Sequence, residues 1–416
     1  MQALSREQLD RLDSIWKAPG FLAVLIAVGA AFGSWAMLLS VLPLAIIDSG
    51  GGEALAGATT GVFMAATVLT QVNTPKALRR FGYTPVMIFS VFMLGIPAFA
   101  YVWSTDTVPV LVISVIRGIG FGALTVAESA LIAELSPRKL LGKASGLLGL
   151  VIGVVQMILL PVGLELARRV SFDLVYVIGA LIALLAAPTI LLVPRLRPDS
   201  VENKEHASAA TWKLVAIPAL AINVVSMGFG AVSAFLPPAM AGALLSGFIL
   251  SIVGFAQLSC RYVAGLWADR HGAGTLTVLG LGMGLLGLGT MAAVIAFDWS
   301  GWWLVAAAVL FGGGYGIIQN ESLLMMFARL PRTRVSDASA IWNMAYDSGT
   351  GLGSFILGFV AVRWAYVGVF TGAAIIIGVG LTAAALDRVM GRYRIAEIHN
   401  TRAQLRRIPL ARRLVK

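Results

Sequence analysis

Five ionisable side chains, Arg117, Glu128, Arg261, Glu321 and Asp347, stand inside long apolar stretches of the sequence. Each would cost about 2.5 to 3.5 kcal/mol to place in a membrane unless paired or hydrated, so such residues mark function by default. A carboxyl group desolvated among packed helices can change charge near physiological pH. Glu128, Glu321 and Asp347 are therefore candidate proton carriers, with Arg117 beside them. Arg117 and Glu128 are separated by 11 residues, which at 100° per residue returns to within about 20° of one helix face. At 1.5 Å rise they stand ~16 Å apart, too far for a salt bridge but able to line one cavity at different depths. Arg117 could equally clamp a neighbouring carbonyl or carboxylate. Glu321 lies in the run Gln319-Asn320-Glu321-Ser322, which covers about 300° of a helix, so some of its members must bond to other helices instead. Asn343 and Asp347 are one turn apart on a common face.

Other chemistries are excluded. The single cysteine, Cys260, has no disulfide partner, and His206, His271 and His399 fall in polar connecting or tail segments. No His/Cys/Asp/Glu cluster has metal-ligand spacing, and no G-x-x-x-x-G-K-[ST] phosphate cradle is present. The chain is read as no enzyme, with no metal and no cofactor, and any energy must come from an ion or solute gradient.

The elements that hold these residues follow from composition. Of 416 residues 58% are hydrophobic and 12% charged, and the mean hydropathy is +0.88. Soluble domains are about 45 to 50% apolar and about 25% charged, so most of this surface must meet lipid. A transmembrane helix needs ~20 apolar residues. The apolar stretches predict twelve spans, near 21–47, 58–73, 85–103, 110–133, 144–166, 172–193, 214–237, 242–266, 275–297, 302–327, 338–362 and 367–386. With the N-terminus inside, 26 of the 31 Lys and Arg residues fall on the cytoplasmic side, while Arg168, Arg169 and Arg363 face out. That asymmetry predicts both termini in the cytoplasm, so the net charge of +11 does not call for nucleic acid. Residues 1–20 interleave Leu4, Leu9, Leu12, Ile15 and Trp16 with charges, as a short interfacial helix would. The basic tail, 388–416, suits anionic lipid headgroups or merely fixes topology.

The two halves resemble each other. Arg117-Gly-Ile-Gly-Phe-Gly122 corresponds to Phe311-Gly-Gly-Gly-Tyr-Gly316 at an offset of 194, which also carries Pro137 onto Pro331 and Ala144-Ser145 onto Ala338-Ser339. At an offset of 190, Arg80-Phe-Gly82 matches Arg270-His-Gly272. A six-helix bundle over 21–193, a polar cytoplasmic linker over 194–213 and a second bundle over 214–387 are expected. Transporters with repeated bundles place their substrate site near midplane at the repeat interface.

The segment Gly265-Leu-Trp-Ala-Asp269-Arg270-His-Gly272 resembles the G-x-x-x-D-R-x-G signature of the major facilitator superfamily. Its first-half counterpart holds Arg79, Arg80 and Gly82, with Pro75 and Arg79 where the signature has glycine and acid. The resemblance implies a fold of twelve transmembrane helices in two six-helix bundles. It also implies a gating loop in which Asp269 steadies one conformation against a neighbouring helix end. Arg117 before a glycine-rich run resembles the fourth span of superfamily exporters, where such an arginine is thought to take part in proton transfer. The run Asn343-Met-Ala-Tyr346-Asp347-Ser-Gly349 is similar to bacterial, notably actinobacterial, exporters. Asp347 would be a coupling carboxylate or would pair with Arg261 as an inner gate. Pro161 and Gly163 are fragments of the exporters' fifth-span bend. Trp35, Gln156, Asn223, Gln319, Asn343 and Tyr346 are candidate substrate contacts, for which core packing is the competing role.

The expected function is proton-coupled efflux of a drug-like compound or metabolite across a bacterial cytoplasmic membrane by a monomer working through alternating access. Import of a small organic solute by symport or facilitated diffusion is the alternative, and a transporter-like sensor a remote one.

Overall fold

The computed structural model describes residues 4–104, 106–137, 140–196, 209–240, 243–330 and 335–390. The greater part of the expected linker (197–208), the basic tail from 391 onward, Arg138, Lys139, Arg332, Arg334 and the side chain of Asp269 lie outside the described residues. Backbone contacts divide the chain into two compact units, Met1–Glu202 with Ser233–Ser251, and Asn203–Val232 with Ile252–Lys416.

The first unit opens on a five-residue helix, α1 (Arg6–Asp10), capped by Ser5 and Gln8 in a reciprocal capping box. A single 3-10 turn, Ile15–Lys17, follows. The long helices are α2 (Phe21–Asp48), α3 (Gly52–Phe81), α5 (Thr107–Leu135) and α6 (Leu141–Arg169), and three shorter ones, α4 (Tyr83–Gly95), α7 (Phe172–Leu184) and α8 (Ala186–Leu191), accompany them. α4 passes into a 3-10 segment at Ile96–Val102, with Pro97 in its first turn. The second unit continues with α11 (Thr277–Phe297), α12 (Trp302–Arg329) and α13 (Val335–Met390), while α9 (Ala209–Ala239) and α10 (Ala243–His271) each contribute to both units.

Eleven of the described helical stretches are long and apolar enough to cross a membrane. The last of them, in α13, is broken at Trp364 and at Ala365, whose φ of 51° and ψ of −161° are non-helical. The break falls between the two spans expected at 338–362 and 367–386. Large apolar side chains such as Leu69, Phe89, Phe255, Leu286, Phe359 and Ile375 are exposed along these helices, the pattern of a surface solvated by lipid.

Within each unit the helices approach through glycine, in register with the sequence repeat. A Cβ at Gly118 would stand 2.2 Å from the carbonyl oxygen of Phe63 on α3, and one at Gly122 2.3 Å from that of Thr67. On α12, Gly312 meets the carbonyl oxygen of Val253 at 2.3 Å and Gly316 that of Gln257 at 2.1 Å. Gly120 and Gly314 meet Ser90 and Gly280 in the same way, at 2.5 and 2.4 Å. Every glycine maps onto its counterpart at the offset of 194 and every facing residue at 190. Small residues let backbones close to a distance that any side chain would block, so the duplication is one of packing as well as of sequence. The loop glycines repeat too. Gly82 and Gly272 both have φ of 86°, and their N–H groups donate to Leu78 and Ala268 at 2.8 Å, ending α3 and α10 in the left-handed half of the map where glycine is at ease.

Candidate functional site

In the first unit the residues of interest gather around α5. Arg117 is 3% exposed, and its Nε–H donates to the carbonyl oxygen of Leu94 at 3.0 Å. That acceptor is left over by the local backbone. Where α4 tightens into i→i+3 spacing at Ile96, the residue facing Leu94 is Pro97, which has no N–H. The rings of Phe63 and Tyr101 each lie 5.7 Å from the Arg117 guanidinium carbon, within cation–π range. The Tyr101 and Ser114 hydroxyls share a hydrogen bond of 2.9 Å. Trp35, Thr60, Phe63, Tyr101, Ser114 and Arg117 line part of a narrow cavity of about 20 Å³.

Glu128 lies further along the same helix and is 2% exposed. Between Arg117 and Glu128, Gln71 of α3 donates to Thr125 at 3.1 Å, and the Thr67 hydroxyl faces the carbonyl oxygens of Phe63 and Gly118 at 2.9 and 3.1 Å. Trp35 stacks on Phe121 with centroids 5.2 Å apart, and Phe32 and Phe63 pack on the same ring. Gln156 is buried on α6. That helix continues through Pro161, and a Cβ at Gly163 would stand 2.7 Å from the carbonyl oxygen of Met37, so this glycine is a close-packing position against α2.

The second unit carries its own aromatic column. Phe229 stacks on Tyr315 at 5.1 Å and 20°, the counterpart of Trp35 on Phe121 at 194 residues' remove. Tyr346 stacks on Tyr315 and Trp342 on Tyr346, with centroids 6.2 and 5.5 Å apart. Beside the column, Gln257 donates to Gln319 at 3.0 Å. Arg261 is half-buried on α10, and its surroundings include the phenols of Tyr346 and Tyr315. Asp347 is 5% exposed, with Asn343 half-buried one turn before it. Asn223 of α9 donates through Nδ2 to the carbonyl oxygen of Ala345 at 2.9 Å and to Ser348 at 3.1 Å, tying α9 to α13. Glu321 is fully buried and accepts a hydrogen bond from the backbone N–H of Leu276 at 3.4 Å, just ahead of α11, where an acid interacts favourably with the helix dipole. Arg79 and Arg80 lie in the last turn of α3. In the other loop Arg270 lies in the last turn of α10, and the nearest atoms to a Cβ on Gly265 belong to Asn320, at 3.8 Å.

Sequence reasoning missed a part-buried ion pair. Arg329 is 3% exposed and donates to Asp387 at 2.7 Å and to the carbonyl oxygen of Leu214 at 3.1 Å, joining α9, α12 and α13. Asp387 is 58 residues away, and no local spacing could have signalled it. Among the described residues no group of three His, Cys, Asp or Glu side chains could hold a metal ion.

Apolar spanning helices, an internal duplication and buried acids within each bundle define a multi-pass membrane transporter rather than an enzyme. The chain belongs to the Major Facilitator Superfamily, whose profile matches residues 24–238 and 218–406. No curated protein matches it by sequence. Among solved structures it resembles a D-xylose–proton symporter at a TM-score of 0.75 with 16% identity, covering 91% of this chain and 98% of that one. The nucleoside transporter NupG aligns at 0.67 with 14% identity over 88% and 98% of the two chains. A bacterial homologue of the human lysosomal transporter Spinster aligns at 0.71 with 15% identity over 88% and 95%. Identities this low establish the shared fold alone.

Proposed function

We propose that the protein is a proton-coupled antiporter that exports a small organic molecule across a bacterial cytoplasmic membrane by alternating access, with Glu128 as the proton carrier. In this reading the chain crosses the membrane twelve times, both termini are cytoplasmic, and the break at Trp364–Ala365 is the turn between the last two spans. The reading rests on one observation, a carboxyl group 2% exposed inside a spanning helix. Burial makes its charge state depend on whether water reaches it, which is the property a coupling site needs. Protonation and deprotonation then bias which conformation is populated, and substrate binding biases it in the opposite sense. Glu321, bonded to the N–H of Leu276, acts in this scheme as a helix-end anchor. Asp347 and Arg261 form the inner gate with the aromatic column around Tyr346. Asp269 governs state switching, the basic tail meets anionic lipid, and the transporter works as a monomer.

The neighbouring D-xylose–proton symporter supports a second reading, import with protons moving in the same direction as solute. The two separate by sign. In proteoliposomes carrying a pH-sensitive dye, ethidium, benzoate and D-xylose are offered in turn as test solutes. Antiport predicts protons moving opposite to the transported solute; co-directional movement would establish symport instead.

A further inference from the structure

The hairpin of α9 and α10 is divided between the two units. Its stems, up to Val232 and from Ile252 onward, belong to the second unit, while its tip, Ser233–Ser251, belongs to the first. The tip rests on α6, where a Cβ on Gly247 would stand 3.6 Å from the Cβ of Pro161, at ordinary van der Waals contact. Seven residues further along α6, Arg168 donates through Nη2 to the carbonyl oxygen of Pro237 at 3.1 Å. Pro237 lies in the last turn of α9, where carbonyls lack intrahelical donors and a cation meets the negative end of the helix dipole. Arg168 is exposed, so water can take its place at that carbonyl. Arg329, 3% exposed, holds its own carbonyl as a permanent anchor by comparison.

Both stems are weakened where they pass into the tip. Neither Pro237 nor Pro238 has an N–H, so the helical bonds back to the carbonyls of Ser233 and Ala234 cannot form. On α10 the Ser251 hydroxyl donates back to the carbonyl oxygen of Gly247 at 3.0 Å, a bond that favours bending. The counterpart hairpin of α2 and α3 lies wholly within the first unit and lacks these features. At the offset of 194, Leu42-Pro43-Leu44-Ala45 corresponds to Leu236-Pro237-Pro238-Ala239, so the second proline is an addition. At 190, Ser251 falls on Gly61, which has no hydroxyl. Arg169 has Arg363 as its counterpart, whereas Arg168 has Val362. A divided hairpin, a double proline and an arginine that reaches it therefore occur together, and the repeat shows that the fold does not require them.

We infer that Arg168 is a latch. It holds the tip of the α9–α10 hairpin on α6, and breaking its bond to Pro237 lets the hairpin bend over Ser233–Pro238 and near Ser251, so that Gly247 leaves Pro161. In the proposed topology this is the outer end of the protein, and release of the tip opens that end to the external medium. Arg168 touches no cargo in this account; it is a positioning residue that sets the balance between two conformations. The inference deepens the transport reading, and it rests on that reading for the claim that release belongs to a transport cycle.

Release of the tip is measured without solute or gradient, so its outcome is separate from that of proton flux. In the full chain carrying Cys260→Ala and reconstituted in liposomes, Gly247→Cys reports the tip through its rate of reaction with a membrane-impermeant maleimide. Arg168→Gln should raise that rate by about threefold to tenfold, the equivalent of one part-exposed hydrogen bond, and Arg168→Lys should recover part of the protection. Arg169→Gln, which removes the exposed pair with Glu165, should leave the rate unchanged, as should either substitution for a reporter at Ser300→Cys, on the exposed turn before α12. An unchanged rate in Arg168→Gln, or an equal rise in Arg169→Gln, would overturn the latch. Should Arg168→Gln fail to fold, Pro161→Cys combined with Gly247→Cys supplies the test, since a Cβ separation of 3.6 Å suits a disulfide. Oxidation of that pair should arrest solute-driven proton flux and reduction should restore it; full flux in the crosslinked chain would overturn the latch. A latch response in a chain that shows no solute-driven flux would overturn the transport reading alone.

Discussion

Replacing Gly122 by alanine drives a methyl group to within 2.3 Å of the carbonyl oxygen of Thr67. Ordinary contact for a Cβ begins near 3.4 Å, so α5 must withdraw from α3 by about 1 Å. The obstacle is backbone, and no rotamer change relieves it. The same movement opens the close packing at Gly118, where a Cβ would stand 2.2 Å from the Phe63 carbonyl oxygen, and shifts Phe121 under Trp35. Overpacking of a core costs about 1–3 kcal/mol, and a backbone-to-backbone clash belongs at the upper end. Alanine's helical advantage returns about 0.5–1 kcal/mol, leaving a net loss of about 2 kcal/mol. The control is Gly146→Ala on α6, where a Cβ meets nothing within 4 Å and the same propensity gain stands alone. Both variants are unfolded in detergent by heat and by denaturant, followed by far-UV circular dichroism. Gly122→Ala should lose stability and Gly146→Ala should hold or gain it. Gly316→Ala, 2.1 Å from the carbonyl oxygen of Gln257, should behave as Gly122→Ala does. Equal stability of Gly122→Ala and Gly146→Ala would refute the claim that glycine sets the helix spacing.

Three further outcomes are expected. Gly272→Ala meets no neighbouring atom yet must hold φ at 86°, so it should cost about 1–2 kcal/mol from conformation alone, read as a fall in Tm. Arg329→Ala removes the donor that reaches part-buried Asp387 and the Leu214 carbonyl, a loss of about 1.5–3 kcal/mol in denaturant titration, while Arg329→Met combined with Asp387→Leu should lie closer to wild type. Asn223→Ala removes donors to Ala345 and Ser348 and should cost about 1–3 kcal/mol while leaving the Kd for a transported solute unchanged, measured by equilibrium binding.

Much of this architecture is legible in the sequence because membrane insertion leaves few choices. Apolar runs of sufficient length must become helices, and glycines recurring at one offset must be points of helix contact. The offsets of 194 and 190 found by matching residues are the same offsets that relate Gly118 to Gly312 and Phe63 to Val253 across the packed backbones. The correspondence of Trp35 on Phe121 to Phe229 on Tyr315 was hidden, since ring identity changes while stacking is kept. The acceptor of Arg117 is a backbone carbonyl, released by Pro97 in the segment that follows α4, and backbone acceptors leave no side-chain pattern. The Arg329–Asp387 pair escaped for a related reason, being joined through tertiary packing alone. The signature at Gly265–Gly272 located the loop, and its last glycine proves to be the helix stop with positive φ.

The proton assignment is tested most directly by measuring solute-driven proton flux in proteoliposomes for wild type, Glu128→Gln, Glu321→Gln and Asp347→Asn, with solute binding measured in parallel on each. The account predicts that Glu128→Gln abolishes proton movement while solute binding persists, and that Glu321→Gln lowers thermal stability but keeps the flux. Undiminished proton movement in Glu128→Gln would contradict it.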